Sequence, residues 1–589
     1  MSASRVKRAL SAALLLALLP APYPAWSQGS PEWRPSAPVL LGPAERFPVR
    51  PSAEGRVLIS PVQPREIDML RRDDADSTGA LESSDGGLGI NLWQDTPRSL
   101  VENLLPALPV TAPSPAMQAL TRRLLLTTAN APGGGTVAGG LAALRLAKLA
   151  ELGGVADVDA LFRAARGAAQ DEAAARAWVE ARLLGAEPDC DRVAELAQGF
   201  QTAWWRKVRI YCQIRAGAMA EATLAADLQR EQGEADDTFF LLVDRLTGHG
   251  NGRAAAVKSL PRPAPLTLAL MRHAGLPLPP DTLSGAVTPA LLAAVARGAP
   301  ADPMAQVTAT ERAATTGALR AETVADAYDA FPFKPADIAG AAKATEPSPR
   351  HRALVHRAIA AATDPTRRES LIAQHLSLID PALAVGPVGT VPLIRALDGL
   401  AVLPSSAALA PLAARAYYAQ GRDDAARLWH DLAFRSGGEE ELAALRLWPL
   451  AVLATTTPGP SVIDGYGLGM WLDAALKNTD VAARDRVAGI LALLEAVGEP
   501  VEAEAWMRVM GTPAPAAMPS LPLWFRLRDA AANNRVGETV LVALNLLGNG
   551  GPQATPPLVV AQIVAALRAV SLDAEARDLA REAAVGLVW

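Results

Sequence analysis

The chain has 589 residues, 50% hydrophobic and 20% charged, a balance that excludes global disorder and allows a large buried core. Its 56 basic and 61 acidic side chains give a formal net charge of −5, which argues against nucleic acid or an anionic membrane as partner. Aromatic residues supply only 5% and alanine dominates, so composition favours closely packed helices; with 49 arginines against 7 lysines, part of that alanine excess reflects coding bias.

In chain order, the first element is a leader. Arg5, Lys7 and Arg8 precede an apolar run from Ala9 to Leu19, and Ala25-Trp26-Ser27 offers small-residue cleavage before Gln28. The run is too short to anchor in a bilayer, no cysteine marks a lipidation site, and no later apolar run is long enough to span. Residues 1–27 are therefore expected to be a signal peptide, and the mature chain to work in the periplasm or outside the cell. Residues 28–115 carry 13 prolines in 88 positions, which leaves little room for helix and predicts a largely disordered arm. Within it, Glu66 to Arg72 is a candidate short helix and Ser99 to Leu108 a candidate docking segment. The arm also holds Asp74, Asp76, Thr78, Glu82 and Asp85, with Gly79 at the sixth position, the oxygen-ligand spacing of a calcium loop. Against that reading, Asp85 replaces the usual bidentate glutamate and Gly86-Gly87 stops an exit helix, so a solvated Ser/Asp/Gly linker is the simpler expectation.

From residue 116 onward, helical stretches alternate with short breakers, and no strand-like alternation persists. Two helical regions, 116–350 and 351–589, are expected. In the second, turns recur near Gly421, Gly459, Gly498, Asn534 and Ser571, a period close to 37 residues, with Ala426, Ala503 and Ala576 five residues after three of them. Such a period with helix on both sides marks stacked helix pairs, each burying its apolar face on its neighbours. The expected fold is an all-α solenoid of antiparallel helix pairs.

Cys190 and Cys212 lie symmetrically about residue 201, where two helices are expected to meet with Thr202 as N-cap of the second. Positions equidistant from such a turn are neighbours, so a structural disulfide is expected in an exported chain, with two separate buried thiols as the alternative.

The segment from Ala414 to Ala433 resembles a tetratricopeptide repeat. Tyr417 and Tyr418 close the first helix, Gly421 makes the turn, and Ala426 and Ala433 let the second helix approach, with Trp429 between them. Val497-Gly498 to Ala503, Ala216-Gly217 to Ala222 and Ser571 to Ala576 are weaker copies. The resemblance implies packed helical hairpins and a concave binding surface; the period departs from the family's 34 residues, and no peptide-binding residues carry over.

No residue pattern points to chemistry. The six histidines form no metal-ligand cluster, and neither a nucleophile elbow nor a phosphate loop is present. Trp204-Trp205-Arg206-Lys207 reads as core and rim rather than a sugar platform. Neither metal nor cofactor is expected. The reading that follows is a non-enzymatic scaffold that binds another cell-envelope protein, with Leu100–Leu108 and the concave face around Tyr417, Tyr418 and Trp429 as the first places to look for contacts, although tyrosines at these positions are more often core within a repeat. The alternative is the helical module of a peptidoglycan-active enzyme similar to lytic transglycosylases, whose Glu-Ser catalytic pair is not found.

Overall fold

The computed structural model describes residues 75–134, 140–185, 188–249, 256–285, 287–298, 302–379, 387–454, 467–477, 481–511 and 519–588. The leader, its cleavage site, the Glu66–Arg72 helix, Asp74 and the Gly459 turn lie outside these. Among the described residues there are 28 α-helices and no β-strand; isolated bridges join Leu81 to Thr127 and Pro97 to Gly133. The architecture is an all-α helical-repeat solenoid.

Proline starts many of these helices. Ser114-Pro115, Thr288-Pro289, Asp302-Pro303, Ser348-Pro349 and Asp364-Pro365 each place a capping side chain just before a proline at the first helical position. The cap oxygen accepts a free backbone N–H of the first turn, and proline costs nothing there because its missing N–H would have been unpaired.

The hairpins then stack. Helix Ala410–Ala419 packs on Asp423–Arg435, Leu521–Ala532 on Val536–Leu547, and Pro557–Ala569 on both Asp573–Leu587 and Val481–Ala496. The turns between helices take the left-handed conformation at Gly421 (φ 64°), Gly498 (φ 92°), Asn534 (φ 53°) and Ser571 (φ 62°), so four of the five recurring turns are built alike. Cys190 and Cys212 form a disulfide with Cα atoms 5.5 Å apart, joining helix Cys190–Gly199 to helix Ala203–Arg215. Thr202 is the N-cap residue of the second helix but makes no capping bond; its hydroxyl donates to Glu172 Oε1 at 2.9 Å.

The described residues on both sides of the expected boundary at 115/116 pack together. Residues 75–115 pack against helices more than 400 residues away, and the described residues on both sides of 350 belong to one unit spanning Arg65–Trp589. Prolines in this stretch prevent long helices, yet Val101, Leu105 and Leu108 are buried, and helix Arg98–Leu104 lies on Val536–Leu547. The Gly537 N–H donates to Leu92 O at 2.9 Å; a Cβ at residue 537 would sit 2.5 Å from that oxygen and 2.8 Å from the Trp93 ring. Only glycine permits that approach. Further along the same seam, Asn549 Oδ1 accepts the N–H groups of Val110 and Thr111, and Arg123 pairs with Glu575. Glu582, buried on the last helix, accepts from the Ser114 hydroxyl and from Ala116 N at 2.8 Å, anchoring the first turn of helix Pro115–Leu126. Burial pushes its carboxyl up to about 7, against the bonds from Ser114 and Ala116.

Candidate protein-binding surface

Helices Ala410–Ala419 and Asp423–Arg435 form a packed hairpin. Tyr417, Tyr418, Ala426, Trp429 and Ala433 are all buried between its two helices and their neighbours. His430 Nε2 lies 2.7 Å from Ala444 O, a pure acceptor, so that nitrogen carries the proton and Nδ1 accepts from the Tyr418 hydroxyl at 3.0 Å. Burial pushes the His430 ring down to about 4, partly opposed by its bond to Ala444. Tyr417 donates to Asp398 Oδ1 at 2.9 Å, and burial together with that carboxylate raises its phenol.

These tyrosines and Trp429 are core, so they cannot be the first contacts of a partner; nor can Leu105 and Leu108, which are buried. The copy at Gly498 also departs from expectation. Helix Asp423–Arg435 starts two residues after Gly421, which makes Ala426 its fourth residue; helix Ala503–Val509 starts five residues after Gly498, which makes Ala503 its first. The extended stretch 499–502, with Pro500 in it, delays the helix; Ala503 is exposed and Ala505 is buried in its place. The calcium reading fails on its central ligand. Asp76 is buried, its carboxylate paired with Arg98 and accepting Ala142 N at 2.9 Å, while Thr78 gives its carbonyl to Arg145. Glu82 and Asp85 are exposed, and no group of three or more potential metal ligands occurs among the described residues.

A further buried polar cluster braces the fold. Glu311 accepts Arg352 Nη2 at 2.6 Å, Arg352 Nε at 3.0 Å and the Tyr328 hydroxyl at 2.5 Å, which braces three helices around a carboxylate closed to solvent.

What remains open is a surface on the C-terminal helices. Leu558, Gln562, Ala565 and Ala569 fall on one face of helix Pro557–Ala569, following its 3.6-residue period. On one side this face borders a cleft of about 600 Å³ against Ala492, Ala496 and Trp506; on the other, a cleft of about 560 Å³ against Phe525 and Ala532. Gln562, Ala565 and Ala569 line both, so the two clefts adjoin across this face and form one groove. Two large apolar residues of its lining stand exposed, Phe525 at 62% and Leu558 at 62%. Of the 13 large apolar side chains exposed among the described residues, Met507, Met510, Leu521, Phe525 and Leu558 fall within residues 507–558, and two of them line the groove. Sequence reasoning missed it, although a signal exists. The buried stripe of helix Pro557–Ala569 runs through Val560, Ile563, Val564 and Leu567, and Leu558 lies out of phase with it.

No helix among the described residues is long and apolar enough to cross a membrane. Comparison with family models, curated proteins and solved structures returned no match.

Proposed function

We propose that this chain is an exported, non-enzymatic scaffold that binds another cell-envelope protein through the groove on helix Pro557–Ala569. The observation that supports it is exposed apolar surface in the groove: Phe525 and Leu558 line it beside Trp506 and a floor of alanines, with Glu495, Arg528, Asp529 and Arg568 also in its walls. A floor of small residues admits another backbone closely, and apolar residues at its edges can grip the apolar face of an amphipathic helix. The Cys190–Cys212 disulfide agrees with an oxidising compartment, as does the leader-like start of the sequence. The partner segment is thus an amphipathic helix of a second protein.

The test is affinity capture from cells of the wild type and of a Phe525→Asp/Leu558→Asp variant. A discrete envelope protein recovered with the wild type, whose own helical segment synthesised as a peptide competes for the groove, and which the variant loses, supports the reading. Equal recovery by both proteins would overturn it.

A further inference from the structure

A second cleft, of about 700 Å³, opens where helices Val155–Ala164, Glu172–Gly185 and Cys190–Gly199 converge. Its floor is aromatic: Phe162 and Trp178 stack with centroids 5.1 Å apart. Arg182 lies over the Trp178 ring at 5.4 Å, fixed by a 2.7 Å bond from Nη1 to Asp159 Oδ2, while Trp178 Nε1 donates to Asp159 Oδ1 at 2.7 Å. Both oxygens of Asp159 are therefore spent within the wall. Arg163 and Arg166 also line the cleft, and neither has a carboxylate partner among the described residues; the one bond of Arg163 goes from Nε to the Asp159 carbonyl. Both are exposed. From helix Cys190–Gly199 and its cap, the lining takes Arg192, paired with Glu195, and Asp189, which caps the helix through Oδ1, accepting Arg192 N at 3.1 Å, and whose other oxygen has no described partner. The adjacent Cys190–Cys212 bond pins that helix in place.

We infer that this cleft binds an acidic peptide segment, one whose carboxylates meet Arg163 and Arg166 while a backbone N–H reaches Asp189. Planar guanidinium forks match carboxylates in two-point contact, and a wall already ordered by Asp159, Trp178 and the disulfide loses little freedom on binding. The mixed character of the wall selects the ligand class. A bare anion uses only the arginines and is repelled by Asp189, whereas a peptide supplies both carboxylates and N–H donors. In a chain of net charge −5, two arginines that line one cleft with no carboxylate partner among the described residues are a local reversal of sign. The inference rests on reading the chain as a protein-binding scaffold, yet it concerns a site distinct from the apolar groove.

The experiment uses the full chain and a fluorescent, end-blocked peptide alternating glutamate with alanine, read by anisotropy at low and physiological salt. The expected result is saturable binding that weakens as salt rises. It should also weaken by about tenfold or more with the glutamine counterpart of the peptide, or in an Arg163→Glu/Arg166→Glu variant. Arg163→Ala/Arg166→Ala should fall between the two, and Arg435→Glu, at an exposed arginine elsewhere, should bind as wild type. Absent binding, equal binding of the glutamine peptide, an equal loss in Arg435→Glu, or displacement by inorganic phosphate at matching concentration would each overturn the inference. The Phe525→Asp/Leu558→Asp variant should keep full peptide affinity, so failure here leaves the groove's role standing and failure of the groove leaves this cleft intact.

Discussion

Two faces of the same C-terminal block differ in what covers them. On helices Val536–Leu547 and Asp573–Leu587 the chain lays down its own residues 75–126, with a glycine cut to fit Trp93 and a buried carboxylate capping a helix. On the neighbouring helices Leu521–Ala532 and Pro557–Ala569, Phe525 and Leu558 stand in solvent. The covered face has matched polar partners and close backbone approach; the open one has apolar side chains and small residues. A face completed within the chain contributes to stability, and a face left apolar and open costs solubility without stabilising the fold, which is what a binding site does.

The largest effect should come from the seam. Gly537→Val places side-chain atoms against Leu92 O and the Trp93 ring, and should cost about 3 kcal/mol or more, with residues before 126 released to protease. Unchanged denaturation and proteolysis would mean that the seam does not hold.

The next effect depends on pH. Glu582 has a folded pKa raised from 4.5 to about 7, so its protonated form favours the folded state. Its contribution is fully present below about 4.5 and is lost as pH rises through 7, on the order of 3 kcal/mol for a shift of this size. Glu582→Gln should flatten that decline in a series of denaturant melts, because an amide reproduces the neutral hydrogen bonds. His430 works in the opposite direction. Its ring is depressed from 6.5 to about 4, so its contribution is present above 6.5 and fades as pH falls towards 4. Parallel pH profiles for wild type and Glu582→Gln would refute the assignment to this carboxyl.

The smallest change in stability belongs to the open face. Phe525→Asp/Leu558→Asp should stay within about 0.5 kcal/mol of wild type, since neither side chain is packed in the core. A loss several times larger would show that these residues support the fold and are not reserved for a partner.

The two faces also differ in how far the sequence betrays them. Helical hairpins were legible because their turns demand a left-handed residue at a fixed spacing: Gly421, Gly498, Asn534 and Ser571 all carry positive φ. The disulfide was legible because two cysteines equidistant from a turn must be neighbours. The seam was not, because Gly537 and Leu92 meet across more than 400 residues, and nothing local in a proline-rich stretch records its contact. Prolines there and elsewhere read as breakers, although after Ser114, Thr288, Asp302, Ser348 and Asp364 they begin helices. Ala503 was misplaced because extended residues 499–502 shift its helix by almost a turn. Of the groove, only the out-of-phase Leu558 was visible; its lining joins helix Pro557–Ala569 to residues of helices Val481–Ala496, Ala503–Val509 and Leu521–Ala532, which lie earlier in the chain.

The most direct test of the central claim is photo-crosslinking in cells, with a photoreactive phenylalanine analogue placed singly at Phe525, at Leu558 and, as a control, at the exposed Gln170. The account predicts one discrete adduct with the same second protein from both groove positions and none from Gln170. No adduct from the groove, the same adducts from all three positions, or an adduct with a second copy of this chain would contradict it.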